Sequence, residues 1–132
     1  MTTRYRQIDD AAIAALVARF YDKVRADTVI GPLFNAAVAD WPEHLRILNR
    51  FWSSVMLGTG VYKGNPMQVH ARQPIRPEFF PHWLGLWRET AAELFEPEAA
   101  AQFADKAGRI AESLQLGLFY RPGAVDRKAP SA

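Results

Sequence analysis

Cysteine is absent from the 132 residues, which removes disulfide frameworks, thiolate metal centres and cysteine nucleophiles together. Net charge is nearly absent as well. Sixteen basic residues against 14 acidic ones leave +2, with the two signs interleaved along the chain, a pattern without a dedicated nucleic-acid surface. No apolar run approaches the ~18 residues that a membrane span requires. The opening Met1-Thr2-Thr3-Arg4-Tyr5-Arg6 leads into no uninterrupted apolar stretch of the kind an export signal carries. These absences describe a soluble, cytoplasmic protein with neither nucleic acid nor membrane as partner. The length suits one domain, large enough to be stable without disulfides or structural metal.

Aromatic residues are what the chain has in excess: four Trp, four Tyr and eight Phe. That number serves either a bulky core or the wall of a pocket for something large and flat. With 49% hydrophobic and 23% charged residues, whole-chain disorder and coiled coil are both excluded.

No segment alternates apolar and polar residues as a strand requires, whereas four segments repeat at the helical period. The first opens at Asp9-Asp10, short acids suited to capping, and carries Ile13, Leu16, Val17, Phe20 and Val24 to an end near Asp27. Gly31-Pro32 then reads as a break, with Leu33-Phe34 in a short apolar turn. A second helix starts after Asp40, with Pro42 in its first turn, presents Leu48, Phe51, Trp52, Val55 and Met56, and stops at Gly58-Thr59-Gly60. From Val61 to Pro77 glycine and proline predict a loop with one short helix from Pro66 to about Arg72. So long an irregular segment in a small helical domain commonly carries function. A third helix covers about Glu78 to Leu94 and a fourth runs from Glu96-Pro97-Glu98 through Phe103, Ala107, Ile110, Leu114 and Leu118. Arg121-Pro122-Gly123 is the expected stop, making 1–122 the domain and 123–132 a disordered polar tail.

The three histidines are His44, His70 and His82. At ~100° per residue His44 shares a helix face with Leu48, Phe51 and Val55, so it points inward. Taken alone it is as well explained as a core-edge histidine bonded to a carbonyl, and His70 as an exposed loop histidine. No H-E-x-x-H, no i, i+4 histidine pair and no G-x-S-x-G occurs, so zinc hydrolysis and a serine triad lack support. One inward histidine, one loop histidine and many aromatics make the inventory of a haem pocket with a single proximal ligand.

The strings Phe20-Tyr21-Asp22-Lys23-Val24, Gly31-Pro32-Leu33-Phe34-Asn35, Trp41-Pro42-Glu43-His44, Phe51-Trp52, Leu57-Gly58-Thr59-Gly60, Tyr62-Lys63-Gly64-Asn65-Pro66, and His70 followed by Phe79-Phe80-Pro81-His82-Trp83-Leu84 occur in this order. Together they resemble a group III truncated haemoglobin from about Ile13 to Phe119. The resemblance implies an all-α fold, the two-over-two helical sandwich of truncated globins around haem b. It makes His70 the iron ligand, and places Tyr21, His44 and Trp83 on the distal side. Phe34 packs on the porphyrin and Leu48 takes an apolar distal position, while Phe51, Trp52 and Val69 complete the expected cofactor contacts. His82 receives no role beyond a surface or haem-edge residue. The implied ligands are O2, NO and CO, with an unidentified reductase to keep the iron ferrous, in a monomer.

A phenol, an indole and an imidazole are each able to donate a hydrogen bond to a polarised diatomic ligand. Several such donors hold oxygen too firmly for delivery, which favours nitric-oxide detoxification or peroxidase-like redox chemistry over transport. Whether the protein is an enzyme stays open at this point. For His44 the sequence favours a gate over a third donor. The competing class is a cofactor-free four-helix interaction module whose aromatics form only a core.

Overall fold

The computed structural model describes residues 3–119. The expected helix stop at Arg121–Gly123 and the tail 123–132 lie outside the described residues. Asp9 opens α1 (Asp10–Ala26), its carboxylate accepting from the Ala12 amide, and Ile13, Leu16, Val17, Phe20 and Val24 are buried along one face. Asp40 caps α3 (Trp41–Leu57) through the Glu43 amide, and Gly58 closes it in the left-handed region at φ 68°. Two long helices complete the domain, α5 (Phe79–Leu94) and α6 (Pro97–Phe119). The pair α1–α3 packs over the pair α5–α6, joined mainly where α1 crosses α5, as the all-α two-layer reading expects. Among the described residues the one β feature is an isolated parallel bridge between Tyr5 and Phe95.

Gly31-Pro32 does not break the chain. It begins α2 (Gly31–Ala37), where the sequence reading placed a short turn. The physical reason is that proline in the first turn gives up an amide that has no helical partner anyway. The Asp27 carboxylate also gathers the Val29 and Ile30 amides at 2.8 and 3.0 Å, setting the chain for a new helix. Gly31 packs directly against the end of α1. A Cβ there would lie 2.9 Å from the Val24 carbonyl oxygen, closer than real side chains come.

The core is aromatic. Trp87 is fully buried, stacked on Trp52 at 4.4 Å and 20° on one side and on Trp83 at 5.9 Å and 9° on the other. Its indole N–H donates to the Phe103 carbonyl at 3.1 Å, so the buried polar atom is satisfied. Phe20 meets both Trp83 and Trp87 edge-on, the geometry ring quadrupoles favour.

The irregular segment after α3 contains α4 (Pro66–Ala71), as the prolines predicted. Asn65 caps it, accepting from the Gln68 amide at 3.1 Å. None of its residues is fully buried. Met67 seats it on α6 through a satellite apolar cluster with Phe80, Ala111 and Leu114.

Candidate functional site

A cavity of about 460 Å³ opens between α1, α2 and α3 on one side and α4, α5 and α6 on the other. That volume lies within the range of small-molecule and cofactor sites. Its wall is mostly apolar and holds Tyr21, Phe34, His44, Leu48, Phe51, Trp52, Val69, His70 and Trp83, every residue that the sequence singled out for the site.

Helical periodicity explains the distal group. Tyr21 follows Phe20 on α1 and leaves its buried face toward the cavity, where its ring is surrounded by Phe34 at 5.8 Å, Trp41 at 5.9 Å and His44 at 6.1 Å. Burial pushes the Tyr21 phenol well above its ordinary pKa, although the hydrogen bond with Trp83 pulls the other way. The hydroxyl therefore keeps its proton and remains a donor. His44 stands edge-on to Trp41 at 5.5 Å and to Tyr21. Burial lowers its pKa, and the nearness of a second imidazole, His70, works in the same direction. A neutral imidazole results, without a side-chain hydrogen bond among the described residues. Trp83 is held by its stack on Trp87 and by the edge of Phe20.

His70 faces these groups from α4. Its Nδ1 lies 2.6 Å from the Pro66 carbonyl oxygen, one helical turn back. A carbonyl only accepts, so Nδ1 carries the proton and Nε2 keeps its lone pair. Such a bond fixes both tautomer and ring orientation in a metal-binding histidine. Among the described residues no three His, Asp or Glu gather into a set able to chelate an ion unaided. The donor set is thus one histidine nitrogen over an apolar, aromatic-lined space, which fits a metal carried in a flat prosthetic group such as haem.

Two results go beyond the sequence reading. His82 is not part of the cavity wall: its Nε2 meets both carboxylate oxygens of Asp27, at 2.9 and 2.8 Å, and so ties α5 to the chain between α1 and α2. Burial opposes ionisation of Asp27, yet the bonds from His82, Ile30 and Val29 hold its pKa below the usual carboxylate value. The part-exposed His82 thus also acts as a tether, a pairing 55 residues apart that no local pattern announces. Tyr62 is a wall residue that the sequence reading does not single out. It packs edge-on to Phe51 at 5.1 Å, and its amide donates to Ser54 Oγ. An aromatic within a glycine-rich loop was the signal that could have found it.

No protein-family model matches the chain. It is 34% identical over 125 residues to "Group 3 truncated hemoglobin ctb" of Campylobacter jejuni subsp. jejuni serotype O:2, covering 91% of this chain and 98% of that one. Its structure is similar to the crystal structure of a group III truncated hemoglobin from Campylobacter jejuni, with a TM-score of 0.85 and 34% identity. The match covers 89% of this chain and 96% of that chain. Two helix pairs enclosing an apolar cavity are thus the architecture of a truncated globin. The likeness spans nearly the whole of both chains, and the chain belongs to the group III truncated haemoglobins.

Proposed function

We propose that the cavity holds haem b, with His70 Nε2 as the residue that would bind its iron and Tyr21, Trp83 and His44 around a diatomic ligand, O2, NO or CO. The observation that carries this is the orientation of His70, whose Nδ1 is engaged by the Pro66 carbonyl while the residue faces the distal trio across the cavity. Phe34, Leu48, Phe51, Trp52 and Val69 supply apolar contact to the macrocycle. When bound, haem would supply the iron that takes the diatomic ligand.

The chain's own groups then set what happens to that ligand. The protonated Tyr21 hydroxyl and the Trp83 indole N–H donate to a ligand that gains partial negative charge, and being shielded from water they do so strongly. Neutral His44 fills the space between Trp41 and Tyr21 and acts as a gate. Two firm donors retain oxygen, so the site supports nitric-oxide detoxification or peroxidase-like redox chemistry over oxygen delivery.

The test is a haem titration of the purified apoprotein followed by absorbance. We expect a Soret band that saturates at one haem per chain. A protein that stays colourless, or binds haem without saturation, would instead be a helical module whose aromatics serve only the core.

A further inference from the structure

The interleaving of charges has one wide gap. Residues 44–77 include no aspartate or glutamate, yet carry Arg46, Arg50, Lys63, Arg72 and Arg76. The segment is thus +5 while the whole chain is +2, so the remainder is −3. These 34 residues are most of α3, the loop after it, α4 and the approach to α5. All five cations are exposed.

The chain sets each of them beside a residue of the cavity wall: Arg46 next to Ile47, Arg50 to Phe51, Lys63 to Tyr62, Arg72 to Gln73 and Arg76 to Ile75. Elsewhere Arg19 pairs with Glu93, Lys23 with Glu89 and Glu93, and Arg109 with Asp105, while Arg4, Arg6, Arg25, Arg88 and Lys106 form no ion pair among the described residues. Here Arg46 pairs with Glu43 and Arg76 with Glu78, whereas Arg50, Lys63 and Arg72 form no ion pair among the described residues. Between them lie exposed apolar side chains. Ile47 at 38% and Val69 at 54% exposure line the cavity and also face solvent.

We propose that this mouth, framed by Ile47 and Val69 and by the unpaired Arg50, Lys63 and Arg72, is the docking surface for an acidic one-electron carrier protein of the flavodoxin or ferredoxin kind. The proposal rests on the haem reading above, since the redox centre must lie behind this mouth. Charge complementarity identifies the occupant: unpaired cations around a small apolar contact steer an anionic partner and leave the complex short-lived. Small, weak interfaces of this type are usual for electron transfer. The reaction is one electron moving from the carrier's reduced centre, which is oxidised by one electron, to ferric iron, which becomes ferrous. No bond forms or breaks, and no proton is required. With Arg46 and Arg76 paired to Glu43 and Glu78, the three unpaired cations still outnumber by one the two propionate carboxylates that haem would bring.

The experiment measures binding of an acidic flavodoxin to the haem-loaded protein by fluorescence anisotropy at increasing ionic strength. The variants are Arg50→Glu, Lys63→Glu and Arg72→Glu, singly and combined, with Arg88→Glu on the outer face of α5 as a charge-matched control. We expect wild-type affinity to fall steeply with salt and each reversal to weaken binding by about threefold to tenfold at low salt. The triple variant should bind weakly with little salt dependence and keep its Soret band and oxygen dissociation rate. Equal weakening by Arg88→Glu, or salt-sensitive wild-type-like binding by the triple variant, would overturn the proposal. Loss of haem from the triple variant would overturn it too, assigning the cations to the propionates. Equally tight binding of anionic vesicles or duplex DNA would show a surface not built for a carrier. A wild-type protein that takes up no haem would instead defeat the functional reading, which the Soret band reports separately.

Discussion

The two walls of the cavity are built differently. The side chains proposed as distal donors stand on long helices whose opposite faces form the core: Tyr21 adjoins fully buried Phe20, and Trp83 continues the stack through Trp87 to Trp52. The facing wall, axial in the role proposed for His70, is the six-residue α4, which has no fully buried residue and is positioned by the Asn65 cap, the Met67 contacts and the Pro66 carbonyl. A helix this short is not stable by itself. The distal geometry is therefore set by global packing, and the axial geometry by a few local bonds together with whatever occupies the cavity. Damage to the first should appear as lost fold stability, and damage to the second as lost cofactor.

Trp87→Ala gives the largest expected effect. It removes the middle of the tryptophan stack and should cost ~3–5 kcal/mol of fold stability, read as a lower denaturation midpoint in urea. A change under ~1 kcal/mol would show that the distal wall does not depend on that stack. Tyr21→Phe and Trp83→Phe come next. Each deletes one donor to a partly charged ligand, worth about 1.5–3 kcal/mol, or roughly one to two decades in oxygen dissociation. Carbon monoxide is less polar, so its release should change less; stopped-flow ligand replacement on both gases checks this.

Asn65→Ala then probes the axial wall. Loss of the cap costs about 1 kcal/mol, but the comparison assigns it to α4. Haem transfer to an acceptor apoglobin should accelerate while the urea midpoint of the apoprotein stays put. The smallest change in dissociation belongs to His44→Leu. As a gate, its removal should speed ligand association in flash photolysis and alter oxygen release less than Tyr21→Phe does. A larger effect on release would make His44 a direct donor.

The same contrast explains what the sequence could show. The long helices were legible because Ile13, Leu16, Phe20 and Val24, or Phe103, Ala107 and Leu114, repeat at the period of a buried face. The α4 helix was legible from its prolines alone. The α2 helix was not, since Gly31-Pro32 is also the signature of a break, and what decides between them is the Asp27 carboxylate collecting two amides. All nine site residues reached the cavity wall because ordered motifs carried a resemblance, not because spacing identified them. The bond from His70 to Pro66 and the Asp27–His82 tether depend on side-chain orientation, which helical periodicity does not encode.

The axial assignment is the claim on which the rest depends, and resonance Raman spectroscopy of the ferrous, ligand-free protein tests it most directly. An iron–histidine stretching band is expected in the wild type, with its absence in His70→Gly and its return at a shifted frequency when imidazole is added to that variant. The same band persisting unchanged in His70→Gly would mean that another side chain binds the iron, contradicting the assignment of His70.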